Sequence, residues 1–214
     1  DTHHTFSFGR YYDPEHLGFR SLRVINDDVI AGGGGFPFHG HENMEIISYV
    51  TKGALEHKDS MGNGSVLRPG DVQIMSAGSG VQHSEFNHLK DGETHLFQIW
   101  IHPETEGLEP DYAERHFEDD ALKDQLRLIV SRDGREGSLV IRQDASLYAA
   151  RLSPGQTVKH TLAAGRHGWL QVLSGAATLN GTALDAGDGV AISDESALGI
   201  EAATEVELLL FDLA

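Results

Sequence analysis

The strongest constraint on what this chain can become is a turn pattern that occurs twice. Leu67-Arg68-Pro69-Gly70-Asp71-Val72 in the first half is matched by Leu184-Asp185-Ala186-Gly187-Asp188-Gly189-Val190 in the second. Likewise Val50-Thr51-Lys52-Gly53-Ala54 is matched by Leu173-Ser174-Gly175-Ala176. Each half therefore runs strand, x-Gly turn, strand, (Pro/Ala)-Gly-Asp turn, strand. β-rich runs recur roughly every ten residues between Gly and Pro turns, which is the spacing of a sandwich or barrel. The repeat predicts that the barrel is duplicated, and 214 residues suffice for two barrels of about 100 residues each.

The runs read as strands in the first half are Phe19 to Ile25, Met44 to Val50, Leu55 to Lys58, Val66-Leu67, Val72 to Met75, His83 to Glu85 and Thr94 to His102. In the second half they are Leu126 to Val130, Ser138 to Arg142, Leu147 to Leu152, Trp169 to Leu173, Ala177 to Leu179 and Val206 to Asp212. Asp59 to Gly64 is a hairpin-like turn cluster, and its Asn63-Gly64 step is a turn signal before it is a glycosylation acceptor. From Pro103 to Gln125 the chain is acidic and poor in β-branched residues. This stretch is expected to be a linker with a short helical turn, placing the domain boundary near Glu118, with domains 1–118 and 119–214.

The chemistry concentrates in Gly32 to His41 (GGGGFPFHGH) and Val81 to Glu85 (VQHSE). His39 and His41 are an i,i+2 pair, and so are His83 and Glu85. On an extended strand such pairs point to one face, so two strands meeting inside a barrel can bring three imidazoles and one carboxylate to one ion. That donor set suits a divalent first-row transition metal (Fe, Mn, Co, Ni, Cu or Zn) better than calcium or magnesium. Glu45 shares the face of His41, and strand parity alone does not choose between Glu45 and Glu85. The Gly32 to Gly35 run lacks the GK[ST] of a phosphate loop. No second strand repeats the spacing of His3, His4 and His16, which are read as structural or surface residues. His57, His88, His95 and His102 are read mainly as core-bonded or solvent-facing. Phe36 and Phe38 suit either an apolar pocket or ordinary core, and Met44, Ile46 and Trp100 read as core. The second half offers Lys159-His160 and Arg166-His167 without an HxH pair, so its barrel is expected to have lost any metal.

Composition removes several function classes. The formal net charge of −17 disfavours direct binding to nucleic acid or to an anionic membrane. The absence of cysteine excludes disulfides, thiolate metal sites and a nucleophilic cysteine. No apolar run approaches the roughly 20 residues that span a bilayer, and no signal peptide is read, so a cytoplasmic location is the expectation.

Gly33, His39-x-His41, Glu45 and Gly53 together resemble the first cupin motif, and Gly70-Asp71 with Gly78-x-Gly80-x-x-His83-x-x-x-Asn87 the second. Gly78 stands where proline is usual, and the interval from Glu45 to Gly53 is one residue longer than the common pattern. Within the cupins the chain is similar to the pirin family, especially its short bacterial members. The segments that carry this are Gly18 to Asp28, Glu56 to Asn63, Gly70 to Gln73 and Ala77 to Glu85, with a looser match at Trp169 to Val172 and Asp188 to Ile192.

The resemblance implies an all-β bicupin with one metal, most often Fe(II), in the N-terminal barrel. It places the ligands on His39, His41, His83 and Glu85 and leaves Glu45 outside the set. The implied activity is quercetin 2,3-dioxygenase, which opens a flavonol ring with O2 and releases carbon monoxide; for that reaction Glu85 is the expected base for the flavonol 3-hydroxyl. The alternative implied by eukaryotic pirins is an iron-dependent, redox-sensing interaction protein without turnover. The partners expected are a flavonol or related enol and O2, and the duplicated barrel is expected to be a monomer.

Overall fold

The computed structural model describes residues 1–214. Twenty strands and little helix make up the chain, and no helix is long and apolar enough to cross a membrane. It divides into two compact units, residues 1–116 with 141–143 and residues 117–140 with 144–214. The first unit contains β1 (Thr2–His4), β2 (Leu22–Ala31), β3 (Gly35–His41), β4 (Glu45–Lys52), β5 (Leu55–Asp59), β6 (Gly64–Leu67), β7 (Asp71–Ser76), β8 (Val81–Asn87), β9 (Glu93–Ile101) and β10 (Asp111–His116). They form a six-stranded sheet, β1-β2-β9-β4-β7-β10, and a four-stranded sheet, β3-β8-β5-β6.

The second unit begins near the single-turn helix α1 (Asp119–Leu122) and contains β11 (Arg127–Ser131), β12 (Leu139–Val140), β13 (Ala145–Leu152), β14 (Thr157–Thr161), β15 (His167–Ser174), β16 (Ala176–Leu179), β17 (Thr182–Asp185), β18 (Gly189–Ile192), β19 (Ala197–Ala202) and β20 (Val206–Leu213). Its sheets, β12-β11-β13-β20-β15-β18 and β14-β19-β16-β17, repeat the topology of the first unit. The bulge between Val50 and Lys52 in the β4–β9 pair recurs between Val172 and Ser174 in the β15–β20 pair. The fold is a bicupin.

Two expectations change. The acidic stretch after Pro103 is not all linker: Asp111–His116 pairs antiparallel with β7 as an edge strand. Its charged residues suit an edge, where one side meets solvent and β-branched residues are not required. The strand expected at Ser138 to Arg142 shrinks to Leu139–Val140, and Ile141–Gln143 belongs to the first unit.

Matching registers show what differs between the two interiors. In the first unit one row of polar residues crosses the whole six-stranded sheet: His4 opposite Asn26, Asn26 opposite Gln98, Gln98 opposite Ser48, Ser48 opposite Gln73 and Gln73 opposite Glu114. Directly opposed residues share a face, so the row is a polar seam through an apolar interior. It separates a cluster around Val50, Leu55, Leu67 and Leu96 from one around Ile46, Met75 and Val81. In the second unit the corresponding row is Tyr148, Leu210, Leu170 and Val190, and its interior forms one large aliphatic cluster.

The paired turns are equally matched. Gly53 (φ +81°) and Gly175 (φ +76°) are left-handed, and a Cβ there would lie 2.5 Å from the Glu93 carbonyl oxygen and 2.0 Å from that of Glu205. Neither backbone neighbour can yield cheaply. Gly53→Ala and Gly175→Ala should each cost about 2 kcal/mol or more in urea unfolding. Gly62→Ala, also left-handed (φ +95°) but with no neighbour within 4 Å, should cost only the roughly 1 kcal/mol of a left-handed alanine.

Candidate metal centre

Strand β3 presents His39 and His41, and β8 pairs with it so that His39 faces His83 directly. The three rings gather with centroids 4.5 to 4.8 Å apart, and one ring nitrogen from each lies within 4.8 Å of the others. His83 is fully buried, while His39 and His41 are half-buried at the cavity wall.

The hydrogen bonds assign the tautomers. His39 Nδ1 lies 2.8 Å from the Pro37 carbonyl oxygen, which only accepts, so Nδ1 carries the proton and Nε2 the lone pair. Behind His83, the buried ring of His57 has Nε2 3.3 Å from Asp59 Oδ2 and Nδ1 3.5 Å from His83 Nδ1. Asp59 accepts at Nε2, so neutral His57 accepts at Nδ1, and His83 presents its Nε2 lone pair inward. His39 Nε2 and His83 Nε2 thus confront each other at 3.1 Å, an arrangement that calls for a cation between them. A proton is a poor candidate, because burial and then the neighbouring imidazoles lower His83 to about 3, and burial and His39 lower His41 to about 4. The donors fit a divalent transition ion.

Glu85 is placed differently. It does not join the mutual cluster of His39, His41 and His83; its carboxylate groups instead with His57 and His83. Its Oε2 accepts from Gln98 Nε2 at 2.6 Å, and the single Ser48 hydroxyl proton lies between two acceptors, Glu85 Oε1 at 3.0 Å and Gln98 Oε1 at 2.9 Å. Burial raises the Glu85 carboxyl to about 7 against the pull of these donors, with Asp28 adding to the rise. Glu45 is also buried, but its Oε2 accepts from Ser76 Oγ at 2.7 Å and from the Arg142 backbone N–H at 3.1 Å. It stands outside both histidine groups.

His39, His41 and Glu85 open onto a cavity of about 480 Å3, within the roughly 300–1,000 Å3 typical of ligand sites. Trp100, expected in the core, lines this cavity and meets His41 edge-on at 4.8 Å. Phe36 also lines it, whereas Phe38 is exposed and does not. Sequence reading missed Ser48, Gln98 and Asn26 as site residues. It gave His57 a bland role, yet the ring is buried between His83, Asp59 and Tyr112, stacking on the last at 5.0 Å. The other histidines noted in the sequence hydrogen-bond elsewhere: His16 to Asp13, His88 to Glu56 and His95 to Asp27.

A duplicated cupin barrel with a histidine cluster in its first unit defines a bicupin metalloprotein. The Pirin family profile matches residues 1–101, and that of the quercetinase C-terminal cupin domain matches residues 128–213. The chain belongs to the pirin family. It is 49% identical over 213 residues to the Escherichia coli K12 protein named quercetin 2,3-dioxygenase, covering 100% of this chain and 91% of that one. The crystal structure of YhhW from Escherichia coli superposes with a TM-score of 0.96 at 48% identity, covering 100% of this chain and 90% of that one. That of the bacterial pirin YhhW in complex with nickel(II) gives 0.94 at 47% identity, with 100% and 91% covered.

The raised carboxyl of Glu85 makes a sign-specific expectation for the metal-free protein. Its folded value of about 7 lies above the 4.5 of an unperturbed glutamate. The stability gained by keeping it protonated is therefore present below about 4.5 and lost as pH rises through about 7, up to ~3 kcal/mol in all. Glu85→Gln removes the titration. Urea unfolding at pH 5 and pH 8 should show a smaller pH-dependent loss in the variant than in the parent.

Proposed function

We propose that this protein is a metal-dependent dioxygenase of quercetin-like flavonols, opening the flavonol ring with O2 and releasing carbon monoxide. The observation that carries it is the convergence of two inward imidazole lone pairs, with a third imidazole beside them, on the wall of a cavity that also holds a buried carboxylate of raised pKa. The names of the similar proteins support the same reading. His39, His41, His83 and Glu85 would hold the ion. We take Fe(II) as the native one, although the donor set also admits Mn, Co, Ni, Cu and Zn, and the Escherichia coli relative binds nickel(II). A bound redox-active ion supplies Lewis acidity and electron exchange with O2.

The remaining work falls to side chains. Each Glu85 oxygen accepts one hydrogen bond from Ser48 or Gln98 and keeps a further acceptor site. Glu85, ionised beside a bound cation, receives the proton of the substrate 3-hydroxyl, whose acidity the ion would raise. Ser48 and Gln98 hold the carboxylate at a fixed angle throughout. Phe8, Phe36 and Trp100 give the cavity aromatic walls for a planar ring. His57, held by Asp59, keeps the His83 ring oriented. We assign the metal to the domain of residues 1–118. The domain of residues 119–214 holds none, because Leu179, Leu198 and Ile200 stand at the register positions of His57, His83 and Glu85.

Elemental analysis and aerobic loss of quercetin absorbance, measured on the same samples, test this. His41→Ala should lose most of its metal and all turnover. Glu85→Gln should keep most of its metal yet lose about 100-fold or more in turnover; equal loss of both would refute the base role. His57→Phe should weaken metal retention roughly 10- to 100-fold while leaving residual turnover per bound metal near that of the parent.

A further inference from the structure

The cavity has a second polar feature that neither ligation nor proton transfer uses. Asn26 and Asp28 sit two residues apart on β2 and so share a face, about 7 Å apart along the strand. Both line the cavity, and both are almost fully buried, at 4% and 5% exposure. His4 Nδ1 bonds Asn26 Oδ1 at 2.8 Å, which leaves the Asn26 Nδ2 donor without a protein partner. Across the ladder Asp28 faces the exposed Thr2. Burial pushes Asp28 above the ordinary aspartate range against the pull of Thr2 and His4, so a further donor from a ligand would be welcome there. The barrel itself does not need this pair. The matching positions of the second unit, read through the β13–β20 register, are Tyr148 and Ala150.

We infer that Asn26 and Asp28 form a hydroxyl-binding subsite that selects substrates carrying phenolic hydroxyls in addition to the one directed at the metal centre. The inference rests on the flavonol reading and adds the residues that set its specificity. A phenol O–H donates to Asp28 while a phenolic oxygen accepts from Asn26 Nδ2. The same carboxylate repels aromatic compounds that would place a carboxylate or sulfate against it, so the subsite both attracts and excludes. A pocket built to bond a hydroxyl discriminates strongly against the analogue that lacks it, because the buried polar groups are then left unpaired.

Zinc-loaded protein, which binds without redox turnover, allows the test by tryptophan fluorescence quenching with quercetin and with 3-hydroxyflavone, which keeps the 3-hydroxyl and lacks the others. The parent should bind quercetin roughly 10- to 100-fold more tightly than 3-hydroxyflavone. Asp28→Ala should reduce that ratio to within about threefold, with most of the loss falling on quercetin. Asp28→Asn, nearly isosteric, should give an intermediate ratio and decides the matter if the alanine variant does not fold. An unchanged ratio in the variants, or equal loss of both ligands, overturns the subsite. A parent that binds 3-hydroxyflavone with no preference for quercetin overturns it while sparing the flavonol reading. A parent that binds neither overturns both.

Discussion

A fully buried carboxylate must be given donors or it takes a proton, and the seat of Glu85 answers that requirement with two side chains from the facing sheet. Ser48 and Gln98 lie opposite each other on β4 and β9 and hold one Glu85 oxygen each. Their donation does not fully offset the desolvation of the group, so it stays close to protonation at neutral pH. The position suits a cation at the neighbouring imidazoles, which would tip the balance toward the charged form. Everything else in the first interior is arranged around admitting this seam without breaking the barrel. The polar row runs perpendicular to the strands, one residue per strand, and apolar rows on either side pack as separate clusters.

The second unit shows what the fold does without the seam. Where the first has Asn26, Gln98, Ser48 and Gln73, it has Tyr148, Leu210, Leu170 and Val190, and where the first has His83 and Glu85 it has Leu198 and Ile200. Strand order, the bulge and the left-handed glycine turn all recur. The backbone plan is thus indifferent to the chemistry of its central layer. Polar residues in the first unit are there for the site, since the same topology closes around leucines. Even the remnant cation partners are spent on structure: His160, which faces Leu198 as His39 faces His83, bonds Asp212 at 2.9 Å, and Asp212 also accepts from Arg166.

Much of this was legible from residue types and spacing. The duplicated turns announced the two barrels, because a left-handed glycine in a fixed place between strands is a backbone requirement visible in the chain itself. The HxH and HSE pairs announced the imidazole cluster, because strand parity is a rigid rule. Parity could not separate Glu45 from Glu85, since it gives a face and no depth; the Arg142 amide and Ser76 that occupy Glu45 come from distant segments. Nor could it show that Glu85 stands apart from His39 and His41 beside His57. The polar seam left a fainter signal. Ser48 in Ile46-Ile47-Ser48-Tyr49-Val50, Gln73 in Val72-Gln73-Ile74-Met75 and Gln98 in Leu96-Phe97-Gln98-Ile99-Trp100 are each a polar residue inside an apolar strand. Seeing that they align needed the register, which bulges shift by one residue. The edge strand Asp111–His116 was hidden because edge strands carry the composition of loops.

The hairpin from Asp59 to Gly64 shows how a turn chosen by local chemistry reaches the site. Asp59 accepts from the backbone N–H groups of Met61 and Asn63 and from the Asn63 side chain, at 2.9 to 3.0 Å. Burial pushes its carboxyl up, but these bonds and His57 together hold it below the usual range. A carboxylate fixed by its own turn is a stationary acceptor for His57 Nε2, and a stationary His57 leaves one tautomer open to His83. The Nε2 lone pair of His83 therefore faces inward before any ion arrives. The geometry of the centre is set from outside by a surface turn, so its precision depends on the hairpin keeping its shape more than on the ion pulling its ligands into place.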